Sequence, residues 1–467
     1  MKLFKPLGFA LFLFNVGACT AQYATLYDFD FFGLTGSYPQ GTLTISGDTL
    51  FGVTKLGGPT SVGNIFRVKT DGTGYKDIYD FSGTDGQNPT GSLVLIGNVL
   101  YGITRNGGAL NGGNIFSIHT DGKGFKDLHD FGGPDGAFAN GGLTLSGNLF
   151  YGVTSWGGQY NSGTVFSIHT DGTGFKKMTD LGYSNTGTLK LSGRTLFGMS
   201  TDLNSMGSIL AFYLDSTRND SITRWIQLHV FSLYDGGAPY GSLTISGRTL
   251  FGMTTKGGNI VGGVFSVDST GNGFKVLGND FNGVPPHPST AYGDVLLSGK
   301  TLYGMTSKGG ANDGGLIFSI DTDATGFTDI FDFNPVCISS PGCSPMGSLI
   351  LSKGVLYGVT ESGGQYSKGT ILKFDLGPGS AGIGEMNNPE ASVTLYPNPS
   401  KDQFVIEAKT NERQIVQIFD MEGNLLKSQT IQGGKVEIDT YDLSPAVYMV
   451  CITSGRFKIN KKLVIIH

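Results

Sequence analysis

Short runs of alternating apolar and polar residues fill most of the chain. In residues 242–246, SLTIS, the leucine and isoleucine fall on one side of an extended strand. A Ser-Gly pair turns the chain into a second run, Thr249–Thr254, TLFGMT. A looser Gly-Gly segment leads to a third run, such as Asn114–His119, NIFSIH. Then comes Asp-Gly-x-Gly, as in Asp121-Gly122-Lys123-Gly124, a strong hairpin signal because Asp and Gly tolerate positive φ. It opens a fourth run, such as residues 125–131, FKDLHDF. The pattern therefore predicts four short antiparallel strands per unit.

The unit recurs. GTLTISGDTLFGVTKLGG begins at Gly41, and related phrases begin at Gly91, Gly141, Gly187, Gly241, Gly293 and Gly347. These seven copies lie 46 to 54 residues apart. Four strands in about 50 residues is the size of a propeller blade. The two ends of the array complement each other. Residues 23–29, YATLYDF, match a fourth strand with no strands before it, and residues 370–376, TILKFDL, match a third strand with no fourth after it. The expectation is an all-β, seven-bladed β-propeller of four-stranded blades, closed by the N-terminal strand, so that no long edge stays open. The fourth unit departs from the others: Asp202-Leu203-Asn204 replaces its Gly-Gly, and residues 215–222 lengthen its third turn. It reads as a blade with an altered rim.

Leu-Tyr-Asp-Phe, Gly-Ser-Leu, Leu-Tyr-Gly-Val-Thr with Gly-Gly, and Gly-Thr-Val-Phe together resemble the Gloeobacter/Verrucomicrobia (GloVer) repeat over residues 23–377. The period is similar to that of kelch repeats, but most copies here lack the kelch Trp. The GloVer resemblance implies a repeat type and no defined activity.

Composition agrees with strands and turns: 76 Gly, 32 Phe and 19 Tyr in 467 residues, with 15% charged. The net charge of −5 argues against a nucleic-acid partner, since phosphate binding needs a basic surface. Residues 1–21 read as a signal peptide: Lys2 and Lys5, an apolar stretch too short to span a bilayer, then small residues with cleavage after Ala21. A competing reading makes Cys19 a lipidated cysteine. No other segment is apolar enough to cross a membrane as a helix. Export places the cysteines in an oxidising compartment, where Cys337 and Cys343 in one loop are expected to form a disulfide.

Residues 378–390 are rich in Gly, Pro and Asn and read as a linker. Residues 391–467 carry more Lys and Glu, and their β-like runs predict a small β-sandwich: Val393–Tyr396, then 404–408, 415–420, 436–439, 447–453 and 463–466. This segment resembles the type A sorting domain of the type IX secretion system, known from Bacteroidetes. The matching residues are Tyr396-Pro397-Asn398-Pro399, Gly423, Tyr448 and Lys461, with Ala446 where that family usually has Gly. The resemblance implies recognition by the secretion translocon, removal of the segment, and release or attachment at the outer cell surface.

Catalytic signatures are thin. The six His lack metal-site spacing, and no nucleophile elbow or phosphate loop occurs, so no catalytic residue, metal or cofactor is expected. The recurring Asp28, Asp80, Asp130, Asp180, Asp280 and Asp332 are expected to bond backbone N–H groups of an adjoining loop. Long loops on one face would gather Tyr38, Phe138, Trp156, Tyr160, Tyr240, His287 and Tyr366, side chains suited to stack on sugars or grip a protein. The expected function is a secreted or cell-surface binding module for a glycan or surface protein. A polysaccharide lyase or glycosidase, or an adhesive surface component, remains the alternative.

Overall fold

The computed structural model describes residues 22–30, 35–182, 184, 187–201, 206–215, 221–232, 234–255, 262–278, 288–334, 342–376, 393–408, 413–420, 425–432, 435–454 and 457–465. Among them every regular element is a strand. The chain divides into two compact units, residues 1–380 and 381–467. The segments expected as leader, residues 1–21, and linker, residues 378–390, lie outside the described residues.

The first unit is a series of four-stranded antiparallel sheets. Sheet I is Ser37–Ser46, Thr49–Leu56, Asn64–Lys69 and Lys76–Asp80, paired in that order. Sheet II is Gln87–Ile96, Val99–Asn106, Asn114–His119 and Lys126–Asp130. Sheets III to VI follow with the same order, within residues 144–180, 190–230, 244–276 and 296–332. Sheet VII is five-stranded and takes Cys343–Pro345, Ile350–Ser352, Val355–Ser362 and Thr370–Asp375 from the end of the array, the first two both paired with Val355–Ser362. Its remaining strand is Gln22–Asp28, paired antiparallel with Thr370–Asp375 from Gln22 opposite Asp375 to Asp28 opposite Thr370.

The N-terminal strand reproduces the fourth-strand geometry in detail. Its register skips one residue, Leu26, between Thr25 and Tyr27. Sheet I skips Ile78 and sheet II skips Leu128 at the equivalent place. In each case an apolar residue occupies the bulge, which sharpens the local twist.

Neighbouring sheets are joined by apolar packing and aromatic stacking. One cluster unites Phe51, Val53 and Ile65 of sheet I with Leu100, Phe116 and Ile118 of sheet II. Another unites Tyr357, Val359 and Ile371 of sheet VII with Leu50, Phe66 and Val68 of sheet I. Burying one such side chain is worth about 1.5–3 kcal/mol, so these interfaces dominate the stabilising side. On the outer strands, Tyr79 stacks on Phe125 of the next sheet (4.4 Å between centroids) and His129 on Phe175 (3.5 Å). The N-terminal strand fills both roles: Tyr27 stacks on Tyr75 of sheet I (3.6 Å), and Phe331 of sheet VI on Tyr23 (4.3 Å).

At one glycine in or just before the first strand of each sheet the backbones nearly touch. A Cβ on Gly41 would lie 2.2 Å from the carbonyl oxygen of Gly91, and Gly91 stands so to Gly141. The relation continues through Gly187, Gly241, Gly293 and Gly347, and a Cβ on Gly347 would lie 2.2 Å from the Gly41 carbonyl. The seven glycines thus form a cycle in which any side chain would collide with backbone.

The second unit has two sheets around one core. Val393–Tyr396, Gln403–Ala408 and Lys435–Asp439 form a three-stranded sheet. Leu425–Gln432, Arg413–Phe419, Val447–Ser454 and Phe457–Val464 form a four-stranded sheet, paired in that order. Phe404, Ile406 and Ile438 of the first pack with Val416, Ile418, Val450, Ile452 and Leu463 of the second. The strand Leu425–Gln432 was not among the expected runs. It lies on the edge of its sheet, its sequence LLKSQTIQ is largely polar, and Leu426 is 46% exposed, so the apolar alternation is weak.

Candidate functional site

A pocket of about 390 Å³ opens over the glycine cycle. Two repeat positions supply its most varied side chains, and a third, after each cycle glycine, adds Thr42, Ser92, Thr188, Ser242, Asp294 and Ser348. The residue before each cycle glycine gives Gln40, Thr90, Asn140, Tyr240, Tyr292 and Met346. The residue after the buried Thr of the second strand gives Lys55, Arg105 and Glu361. The flanking positions hold the backbone: Thr54 and Thr104 are fully buried, and the glycines admit no side chain. The side chains before the cycle glycines and after the buried Thr differ from repeat to repeat.

Tyr240 and Tyr292 stand side by side, with centroids 5.3 Å apart and planes at 49°. Burial raises the Tyr292 phenol, with Tyr240 and the Glu361 charge adding to it, so this hydroxyl stays protonated at neutral pH. Glu361 accepts a hydrogen bond from the Gln40 amide at 2.7 Å. Asp294 also lines the pocket, but it serves the frame: its Oδ1 accepts the Ser242 N–H at 2.5 Å, and Lys190 approaches its Oδ2 at 3.5 Å. Ser92, Thr188, Ser242 and Ser348 accept N–H groups of neighbouring sheets in the same way. Arg105 is exposed and Lys55 half-buried, and among the described residues neither forms an ion pair. A smaller depression of about 240 Å³, lined by Lys55, Asn88, Arg105, Asn106 and Phe138, shares both cations with the larger pocket.

The residues expected to bind a ligand are distributed unevenly. Tyr240 lines the main pocket and Phe138 the smaller one. Tyr38 is half-buried, with the Lys368 ammonium 5.4 Å from its ring. Trp156 (52% exposed), Tyr160 (62%) and Tyr366 (38%) lie on the surface and line neither pocket. His287 lies outside the described residues. Gln40, Lys55, Arg105, Asn140, Tyr292 and Glu361 also line the pocket and are not among the residues expected from the sequence. For Lys55, Arg105 and Glu361 the sequence signal is the changing pair before each Gly-Gly, KL, RN and ES, inside an otherwise repeated phrase.

The recurring acids bond backbone as expected. Asp130, Asp180, Asp332 and Asp28 each accept the N–H of the residue after a Gly-Gly pair: Ala109, Gln159, Ala311 and Gln365, at 2.7–3.1 Å. A Cβ on Gly108 would sit 2.2 Å from Asp130 Oδ1, so the bond itself demands glycine there. At Asp80 the corresponding residue is Pro59, which has no N–H to give. Asp280 lies outside the described residues. His129 and His229 have a role that the sequence did not reveal. Each bonds an Asp six residues on, Asp135 at 2.8 Å and Asp235 at 2.9 Å, as Tyr79 bonds Asp85 at 2.6 Å.

Cys343 is disulfide-bonded and buried; its expected partner, Cys337, lies outside the described residues. In the second unit the Tyr396 hydroxyl donates to Glu407 at 2.7 Å. Asn398, flanked by Pro397 and Pro399, accepts the Val464 N–H at 2.9 Å and so ties the start of the unit to its end. Tyr448 is buried and donates to the Ser444 carbonyl at 2.7 Å. Lys461 pairs through its backbone with Val450, and Gly423 lies outside the described residues.

Comparison with known proteins bears on both units. The Gloeobacter/Verrucomicrobia repeat family matches residues 11–212 and 189–383, and a secretion-system C-terminal sorting domain matches residues 394–466. An ulvan lyase of Nonlabens ulvanivorans is 31% identical over 78 residues, which is 16% of this chain and 15% of that enzyme. Two solved structures are similar in fold. An oligogalacturonate lyase in complex with manganese gives a TM-score of 0.50 at 10% identity, covering 78% of this chain and 95% of that one. A puromycin-hydrolyzing peptidase of Mycobacterium tuberculosis gives 0.51 at 9% identity, covering 82% and 61%. Likeness at this level concerns the fold alone.

Proposed function

The chain belongs to the Gloeobacter/Verrucomicrobia repeat family, and from that premise we propose an exported, closed seven-bladed propeller that binds a glycan over its glycine cycle. The C-terminal segment is a secretion sorting domain, which supports export by the type IX system and delivery to the cell surface or beyond. Residues 1–21 act as the leader that precedes this step, and the sorting segment is removed after it. Ring closure is supported by the return of the glycine contacts from Gly347 to Gly41 and by the pairing of Gln22–Asp28 with Thr370–Asp375.

The observation that carries the binding role is the pocket at the point where the repeats converge. Its frame is repeated, and its side chains before the cycle glycines and after the buried Thr are not. Such a pocket falls within the usual size of small-ligand sites, and its aromatic pair beside amides suits a sugar ring. Binding without hydrolysis fits the carboxylates. A glycosidase needs two of them facing one bond, whereas Asp294 is engaged by the frame and Glu361 stands by itself. The raised Tyr292 phenol is likewise unsuited to act as a base at neutral pH.

The test is retention of the purified full chain on an array of defined oligosaccharides. Tyr240→Ala and Tyr292→Ala should each weaken retention by roughly tenfold. Absence of binding to every glycan, binding indifferent to both changes, or release of new sugar ends would overturn the reading. Binding of a peptide or protein in the same pocket would replace the glycan by a different partner.

A further inference from the structure

The pocket carries more information than its shape. The chain as a whole is acidic, with 37 Asp and Glu against 32 Lys and Arg. Yet two cations, Lys55 and Arg105, occupy the same repeat position on adjacent sheets and line both the main pocket and the smaller depression beside it. At this position most other repeats place Ser155, Thr201, Thr255 or Ser307, so the fold does not ask for a cation. Neither cation has a carboxylate partner among the described residues, whereas Lys177 pairs with Asp180 and Lys300 with Asp321, each at 2.9 Å. Glu361 and Asp294, the acids of the pocket, are engaged by Gln40, by the Ser242 N–H and by Lys190. Two cations with no carboxylate partner among the described residues, at the junction of two cavities, suit an anionic group.

We propose that the pocket selects acidic glycans: Lys55 and Arg105 hold a carboxylate or sulfate carried by the sugar, while Tyr240 and Tyr292 receive a ring face. The proposal rests on the glycan-binding reading above. The planar fork of Arg105 matches two oxygens of one anionic group, and Lys55 adds a point charge beside it. Asn88 is held in the smaller depression by its bond to the Lys55 carbonyl at 2.9 Å, with Asn106 and Phe138 alongside. That depression offers a second sugar subsite outward from the cations, so the anionic residue would lie within an oligosaccharide and not only at its end.

Calorimetric titration of the full chain tests this with four probes: a uronic acid oligomer, its neutral methyl ester, a sulfated oligosaccharide and a neutral glucose oligomer. The acidic oligomers should bind roughly tenfold or more tightly than the neutral ones, and rising ionic strength should erase the difference. The uronate and sulfate arms distinguish which anion is preferred. Arg105→Gln and Lys55→Gln should each abolish most of the preference, weakening the acidic oligomers far more than the neutral ones. Because Arg105 is exposed, its replacement leaves the core intact, and an unchanged unfolding temperature verifies this. Equal binding of acidic and neutral oligomers, or a preference that survives both changes, would overturn the acidic selectivity while leaving glycan binding in place. Failure of all four probes would instead count against the underlying binding reading.

Discussion

Sheets II and VII share one strand order and one bulge but are assembled differently. All four strands of sheet II come from residues 87–130, whereas sheet VII joins Thr370–Asp375 to Gln22–Asp28 across the whole repeat array. The N-terminal strand forms the same contacts as its counterparts. It bulges at Leu26 as sheet I does at Ile78, and Asp28 caps Gln365 as Asp130 caps Ala109. What differs is entropy. Pairing within sheet II closes short loops, while pairing in sheet VII closes one that spans the array and is favoured only after the other interfaces exist. Local chemistry is therefore equal in the two sheets, and the order of assembly is not.

The largest test of this equality is deletion of residues 22–28. It exposes the edge of Thr370–Asp375 and removes the stacks with Phe331 and Tyr75. A loss above about 5 kcal/mol or of the cooperative transition is expected in denaturant melts; a small loss would make the strand an appendage. Next, Tyr27→Ala and Tyr79→Ala remove equivalent stacking residues from sheets VII and I. Each should cost about 2–4 kcal/mol, and a near-neutral Tyr27→Ala would break the equivalence.

His129→Ala should cost less, about 1–2 kcal/mol, through the Asp135 bond and the Phe175 stack. His129→Tyr should restore stability, because sheet I places Tyr79 and Asp85 in these roles.

The smallest effect is on pH dependence. Burial, together with the Asp80 and Asp30 charges, pushes Asp77 up to about 6 against the bonds from Tyr75 and Asn64. The folded state thus binds this proton more tightly than the unfolded chain, whose carboxyl titrates near ~3.9. Above pH 6 both states are ionised and the fold bears the cost of the buried charge; stability from this group rises as pH falls from 6 towards 4. Asp77→Asn should flatten that rise in melts across this window. The equivalent residue of sheet VII is Thr25, so Thr25→Asn should leave the slope unchanged.

Much of the fold was legible because the repeat states its pattern many times over. The runs Thr249–Thr254 and Asn114–His119 are strands with those very bounds. The recurring Asp was readable as a backbone acceptor because a carboxylate at one place in many repeats serves the repeat. The site was less legible: the loop aromatics Trp156 and Tyr160 are exposed and do not line the pocket. Lys55, Arg105 and Glu361 are each a single polar residue at a strand end, set apart only when the repeats are compared with one another.

The sequence by itself determined the strands, their turns, the seven-fold repetition and the sorting segment, since each depends on residues close together in the chain. Only the tertiary structure decided that Lys55, Arg105, Tyr240, Tyr292 and Glu361 share a pocket. They lie in different repeats, and the apolar packing between sheets brings those repeats together, with glycines that let the backbones approach.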